Sequence, residues 1–171
     1  GLGWFYPAEY IPAKELPDEE YPLMLTTGRI LYHYTTRAMT GRTPELMEIE
    51  GNSFIEINTE DAKKLGIENG ERVKVLSRRG EITSEARVSD KTNPGETWMP
   101  FHFPDGDCNW LTNAALDKYA RIPEYKVCAC RVEKIPESEA YTADGTYISQ
   151  KLVAQLKEAE LKAEAAGIIE N

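Results

Sequence analysis

Between Tyr21 and Pro44 the chain reads YPLMLTTGRILYHYTTRAMTGRTP, with no Asp or Glu, in a protein of 29 acidic residues and formal charge -9. The stretch holds Arg29, Arg37 and Arg42, one histidine (His33), six threonines and two glycines. Guanidinium forks, hydroxyls and backbone N–H groups are the donors that bind phosphate, and glycine lets a ligand approach the backbone closely. A cationic, hydroxyl-rich island in an acidic chain therefore suits a polyanionic ligand. The same residue types also fit a strand followed by an irregular loop whose arginines face solvent.

Other groups narrow the chemistry. Cys108, Cys128 and Cys130 make an odd count with no CxxC spacing, which reads as reduced, mostly buried thiols rather than a disulfide framework or a structural zinc site. The net negative charge argues against nucleic acid as the main partner, because affinity there is dominated by phosphate neutralisation. No apolar run reaches the roughly 20 residues of a membrane span. The chain begins at Gly1 without a methionine, in an aromatic and proline-rich stretch, and reads as a processed product or a piece of a longer polypeptide.

The 171 residues, 41 % apolar and 29 % charged, are enough for one soluble domain with appendages. Gly1–Glu20 reads as an extended strap, with Pro7, Pro12 and Pro17 spaced by aromatics, and Trp4, Phe5 and Tyr6 apolar enough to need cover. Pro22–Thr27 reads as a buried strand ending at Gly28-Arg29. Phe54–Asn58 alternates like a half-buried strand, and Thr59 is placed to cap a helix over Glu60–Leu65 with Ala62 and Leu65 inward and Gly66 ending it. Arg72–Ser77 and Glu81–Val88 form a hairpin-like pair about Arg79-Gly80. Thr97–Phe101 and Tyr125–Ile135 supply two more strands, the last with Cys128, Cys130 and Val132 on one face. Six short strands with tight glycine turns and short helices predict a mainly β fold, closed as a small barrel to remove sheet edges. The barrel is placed over residues 21–136, with a tail over 137–171 carrying a helix at about 149–166.

The order of motifs resembles a known family. TTGR-x3-H-x5-MTGR, INTEDAKKLGIENGERVKVLSRRGEI, VSD-x3-PG-x3-MPFHF, CNWLT and PEYKVCACRVE follow one another as in the C-terminal domain of molybdopterin-guanine-dinucleotide oxidoreductases. The similarity is nearest to the catalytic subunit of formate dehydrogenases and covers about residues 21–135. It implies a six-stranded double-psi β-barrel and a place in an enzyme that holds two pterin-guanine dinucleotides chelating molybdenum or tungsten. The remaining domains of the same subunit would be the partner, the compartment would be the cytoplasm, and the reaction would be two-electron oxidation of formate or its reverse.

Carried over by motif, Thr26, Thr27, Gly28 and Arg29 would lie at a strand end facing the cofactor, and His33, Tyr34 and Thr35 would continue that wall. Phe101, His102 and Phe103 match a second lining segment, Asn109 a polar contact, and Tyr125 with Lys126 a third segment. Arg29 and Lys126 suit pyrophosphate, Asn109 a pterin or guanine edge, and His33 and His102 anionic oxygens or ring heteroatoms. Each also has a plainer reading: the histidines and phenylalanines as packing residues, the asparagine as a turn former. In the formate dehydrogenases, the metal ligand, the catalytic His and Arg, and the iron–sulfur cysteines lie outside this domain. No catalytic residue and no metal ligand is therefore expected in this chain, and alone it would be inactive. Two alternatives stand beside this reading. One is a separate small subunit like that of formylmethanofuran dehydrogenases, and the other a cofactor-free binding module on the same barrel.

Overall fold

The computed structural model describes residues 1–135, so the helix expected at 149–166 lies outside the described residues. One compact unit spans Gly1–Glu133. Its strands are β1 (Leu23–Gly28), β2 (Phe54–Ile57), β3 (Arg72–Leu76), β4 (Glu81–Val88), β5 (Glu96–Pro100) and β6 (Cys128–Lys134). They close into a barrel in the order β1-β5-β2-β4-β3-β6. β1 runs parallel to β5, and β2 parallel to β4, while β1–β6, β2–β5 and β3–β4 are antiparallel. These two parallel pairs, each made by crossing over, belong to a double-psi barrel. Closure removes every sheet edge. Leu25, Ile55, Ile57, Val73, Val75 and Met99 fill the interior with no exposed surface.

Three features expected of β2 and the helix after it turn out differently. All four residues of β2 are buried, because its outward positions are covered too. The Arg87 guanidinium lies 3.5 Å from the centre of the Phe54 ring, and Glu56 accepts from Ser89 Oγ (2.9 Å) and Lys91 Nζ (3.1 Å). The following helix, α2 (Thr59–Leu65), is capped by Asn58 rather than Thr59. Asn58 is extended and its Oδ1 accepts from the Glu60 amide at 2.9 Å, whereas Thr59 is already helical and bonds Asp90. On α2 the inner positions are Asp61 and Ala62, and Leu65 is exposed. Asp61 is tolerated there because Gly95 N–H and Lys64 Nζ donate to its carboxylate. Gly66, at φ 67°, ends the helix in the left-handed conformation that glycine adopts without strain.

The strap divides in two. Leu2, Trp4, Phe5, Tyr6, Tyr10 and Ile11 are exposed, so nothing among the described residues covers the aromatics near Gly1. From Lys14 onward the segment is tied down: Lys14 N donates to Glu124 (3.0 Å), Glu15 pairs with Arg78 and Arg79, and Asp18 caps the Glu20 and Tyr21 amides. Glu15 also accepts from the Ala129 backbone, and Ala129 is buried. Among the described residues no helix is long and apolar enough to cross a membrane.

Candidate functional site

Because β1 and β5 run in parallel, with Gly28 beside Pro100, their chains leave the barrel at the same end. The loops that follow are laced to one another there. Thr27 Oγ1 donates to Tyr125 O (2.7 Å), Thr26 Oγ1 to Lys126 O (3.0 Å), and Lys126 Nζ back to Thr27 O (2.6 Å). Tyr125 and Lys126 thus form a turn against β1 rather than the start of β6, which begins at Cys128. Phe101 N donates to Gly28 O at 3.1 Å, joining the segment after β5 to the same strand end. Gly28 has no room for a side chain, since a Cβ there would lie 2.5 Å from the Trp98 indole. Cys108 sits under this end with its Sγ 3.8 Å from Pro100 O, which places Asn109 on the adjoining 3₁₀ turn, Cys108–Trp110, with its side chain exposed.

Both histidines are buried, and the geometry fixes their protons. His102 Nε2 accepts from the Ile30 amide at 3.0 Å, while Nδ1 donates to Thr35 O. His33 Nε2 donates to Glu50 O at 2.6 Å, and Nδ1 meets Thr40 Oγ1 at 2.9 Å. Their rings lie 6.2 Å apart, with Phe103 edge-on to His33 at 5.4 Å. Burial pushes the His102 pKa below the ordinary histidine value; the Thr35 carbonyl opposes this, and His33, Arg29 and Arg37 add to it. Neither ring has an N–H left for a ligand, which differs from the direct donation expected of them. Thr27 and Phe103 are likewise buried.

Of the residues carried over by motif, Arg29, Tyr34, Thr35, Asn109 and Lys126 are exposed, and Phe101, Thr26 and Tyr125 partly buried. Arg29 holds its guanidinium 5.8 Å from the Phe101 ring centre, and Lys126 Nζ sits 5.3 Å from that of Tyr125. Thr35, at φ 43°, turns the loop so that its carbonyl faces His102. Of the other arginines between Tyr21 and Pro44, Arg42 is exposed, whereas Arg37 is structural. Arg37 donates to Gly51 O (2.6 Å) with its guanidinium 4.8 Å from the Phe103 ring centre.

Sequence reasoning passed over a pocket of about 460 Å³ beside this end, lined by Ile30, Tyr32, Phe54, Arg87, Lys91 and Trp98 among others. A two-point Arg87–Glu50 pair closes one side. The only signal in the sequence was Trp98, a large aromatic on a strand position whose neighbour in β1 is Thr26. The three cysteines are free and buried, and burial pushes the Cys108 and Cys130 thiols up to about 12. Among the described residues no cluster of His, Cys, Asp and Glu is arranged to hold a metal ion.

The closed six-stranded barrel with its two crossed-over parallel pairs defines the class of the protein, a double-psi barrel. The chain belongs to the molydopterin dinucleotide binding domain family, whose model matches residues 23–129. It is 53 % identical over 135 residues to the F420-dependent formate dehydrogenase subunit alpha of Methanocaldococcus jannaschii, covering 79 % of this chain and 20 % of that protein. It is 39 % identical over 164 residues to formate dehydrogenase H of Escherichia coli, covering 94 % of this chain and 23 % of that one. With the periplasmic nitrate reductase of Desulfovibrio desulfuricans the identity is 46 % over 131 residues, covering 77 % and 17 % of the two chains. Among solved structures, acetylene hydratase from Pelobacter acetylenicus shares the fold, with TM-score 0.62 and 15 % identity over 73 % of this chain and 21 % of that one. The chain spans about a fifth of the length of the curated relatives it matches.

Proposed function

We propose that this barrel is the cofactor-holding domain of a bis-molybdopterin-guanine-dinucleotide oxidoreductase of the formate dehydrogenase type, acting with the remaining domains of a cytoplasmic catalytic subunit. The observation that supports the proposal is the family match over residues 23–129, with Arg29 and Lys126 both at the shared end of β1 and β5, where Lys126 Nζ donates to Thr27 O. The donor set fits a pterin-guanine dinucleotide: two cations for the pyrophosphate, one amide for a heterocycle edge, and aromatic rings to pack against its faces. Identity to formate dehydrogenase alpha subunits supports formate as the substrate.

In this reading Arg29 forks onto phosphate oxygens, held by the Phe101 ring beneath it. Lys126 keeps one donor on Thr27 O, and two remain to face an anion. Asn109, on its exposed 3₁₀ turn, offers donor and acceptor together. Tyr34, Thr35, Tyr125 and Thr26 line the same surface. Thr27, Gly28, Phe103, His33 and His102 orient it from below, Gly28 by leaving Trp98 room against the strand. When bound, the pterin-chelated metal supplies the two-electron chemistry; the groups of this chain bind, orient and exclude water.

Arg29→Ala, made in the complete catalytic subunit, is expected to lower cofactor retention about tenfold or more, the value of one charge-assisted contact of about 1.5–3 kcal/mol. Metal and guanine nucleotide content after gel filtration measure it, with Arg42→Ala as the control at an exposed arginine of the neighbouring 3₁₀ turn. Equal content in the Arg29 variant and the wild type would remove Arg29 from the site.

A further inference from the structure

We propose that His102 is a proton-sensitive latch: as the neutral Nδ1–H imidazole it pins the loop bearing Arg29–Thr35 onto the barrel, and protonation lets that loop go. The inference does not rest on the cofactor reading. It follows from the kinds of partner the two buried histidines have. Ile30 offers a backbone N–H, which can only donate, and Thr35 a backbone carbonyl, which can only accept. Between them only one form of the imidazole fits, neutral with its proton on Nδ1. A second proton on Nε2 would point at the Ile30 N–H, and neither backbone group can rotate to relieve it. The loop is therefore held at both ends, Ile30 and Thr35, by one ring that must be uncharged.

His33 is the internal contrast. Its Nε2–H donates to Glu50 O, but its other partner is the Thr40 hydroxyl, which can either donate or accept. If His33 gains a proton, the Thr40 hydroxyl turns and accepts from it, and no contact is lost. Two histidines in one cluster thus differ in response because one faces a rotatable group and the other does not.

The surroundings set the sense of the switch. The ring is 1 % exposed, with Phe101 at 4.9 Å and Phe103 at 6.4 Å between ring centres. The charged and titratable groups around it are His33, Arg29 and Arg37, the last partly balanced by Asp105 at 3.6 Å. Burial and these like charges all favour the neutral ring, so its pKa lies below the ordinary 6.5. The unfolded chain then binds more protons than the folded one between the two values. The latch contributes fully above pH 6.5 and is lost as pH falls through the lower pKa of folded His102.

The test uses the 171-residue chain with 15N-labelled histidine, which contains only two imidazoles. At pH 8, 15N shifts should show the proton on Nδ1 in His102 and on Nε2 in His33. As His102 titrates, the exchange protection of the Ile30 amide should fall tenfold or more while Val75 in the barrel core keeps its own. Protonation of His33 should leave Ile30 protected. In H102Q, whose amide can both accept from Ile30 and donate to Thr35 at any pH, the step in Ile30 protection should vanish. A proton on Nε2 of His102 at pH 8, or unchanged Ile30 protection as His102 titrates, would overturn the latch. Both measurements are made on the wild type, so they decide the matter even if H102Q fails to fold.

Discussion

Phe103→Ala is expected to destabilise the protein by about 3–5 kcal/mol, the range for removing a fully buried phenylalanine ring. Phe103 is 1 % exposed and belongs to no strand. Its ring takes the edge contact with His33 at 5.4 Å and lies 4.8 Å from the Arg37 guanidinium. Truncation leaves a cavity beneath the loop over residues 29–51 and removes the ring against which two of that loop's anchors pack. Phe101→Ala is the comparison. That ring is only partly buried and carries Arg29 from outside, so its loss should cost under about 2 kcal/mol, since the residue forfeits less buried area. Urea midpoints of the two variants give the difference directly. Equal midpoints would mean that the loop over 29–51 is not seated on Phe103.

Phe101 and Phe103 also show what the sequence could reveal and what it could not. Two residues apart in a strand, they would share a face and a role. But β5 ends at Pro100, the chain turns, and the two rings separate into a support for Arg29 and a core anchor. Strand periodicity was a sound guide only inside the strands: β1, the β3–β4 pair and β5 could be read from alternation and glycine turns, to within a residue or so. It misled at β2, where Glu56 sits buried because Ser89 and Lys91, more than 30 residues away, satisfy it. The short helix α1 (Pro44–Ile49) was missed although Thr43-Pro44-Glu45 carries an N-terminal signal, proline at the first position followed by an acid. For the site, residue types marked which groups suit an anion. They could not tell the exposed donors from the buried staple, because the partners of His33 and His102 are mostly backbone atoms, set by how the loop closes and not by any side-chain motif. The arginines are the plainest case: Arg29 and Arg79 look alike in sequence, yet one is exposed at the barrel end and the other is engaged on both sides.

Arg79→Ala is expected to cost about 2–3 kcal/mol, since it removes three hydrogen bonds worth about 1 kcal/mol each and leaves a carbonyl poorly paired. Nε and Nη2 of Arg79 both donate to Leu111 O, at 3.0 and 2.7 Å, and Nη1 donates to Glu15 at 2.8 Å. One side chain thus joins the turn between β3 and β4 to the loop at Leu111 and to the strap. The strap's share can be isolated by pH. Burial alone would raise the Glu15 pKa, but hydrogen bonds from Arg79 and Arg78 more than offset it and hold the carboxyl below its ordinary 4.5. A folded-state pKa below the unfolded one means that the ionised Glu15 stabilises fully above pH 4.5, and that this is lost as pH falls through the folded value. Glu15→Gln should therefore be less stable than the wild type at pH 7, and the gap between their urea midpoints should close below pH 4.5. A gap of constant size from pH 7 to 3.5 would show that the charge on Glu15 does not hold the strap to the barrel.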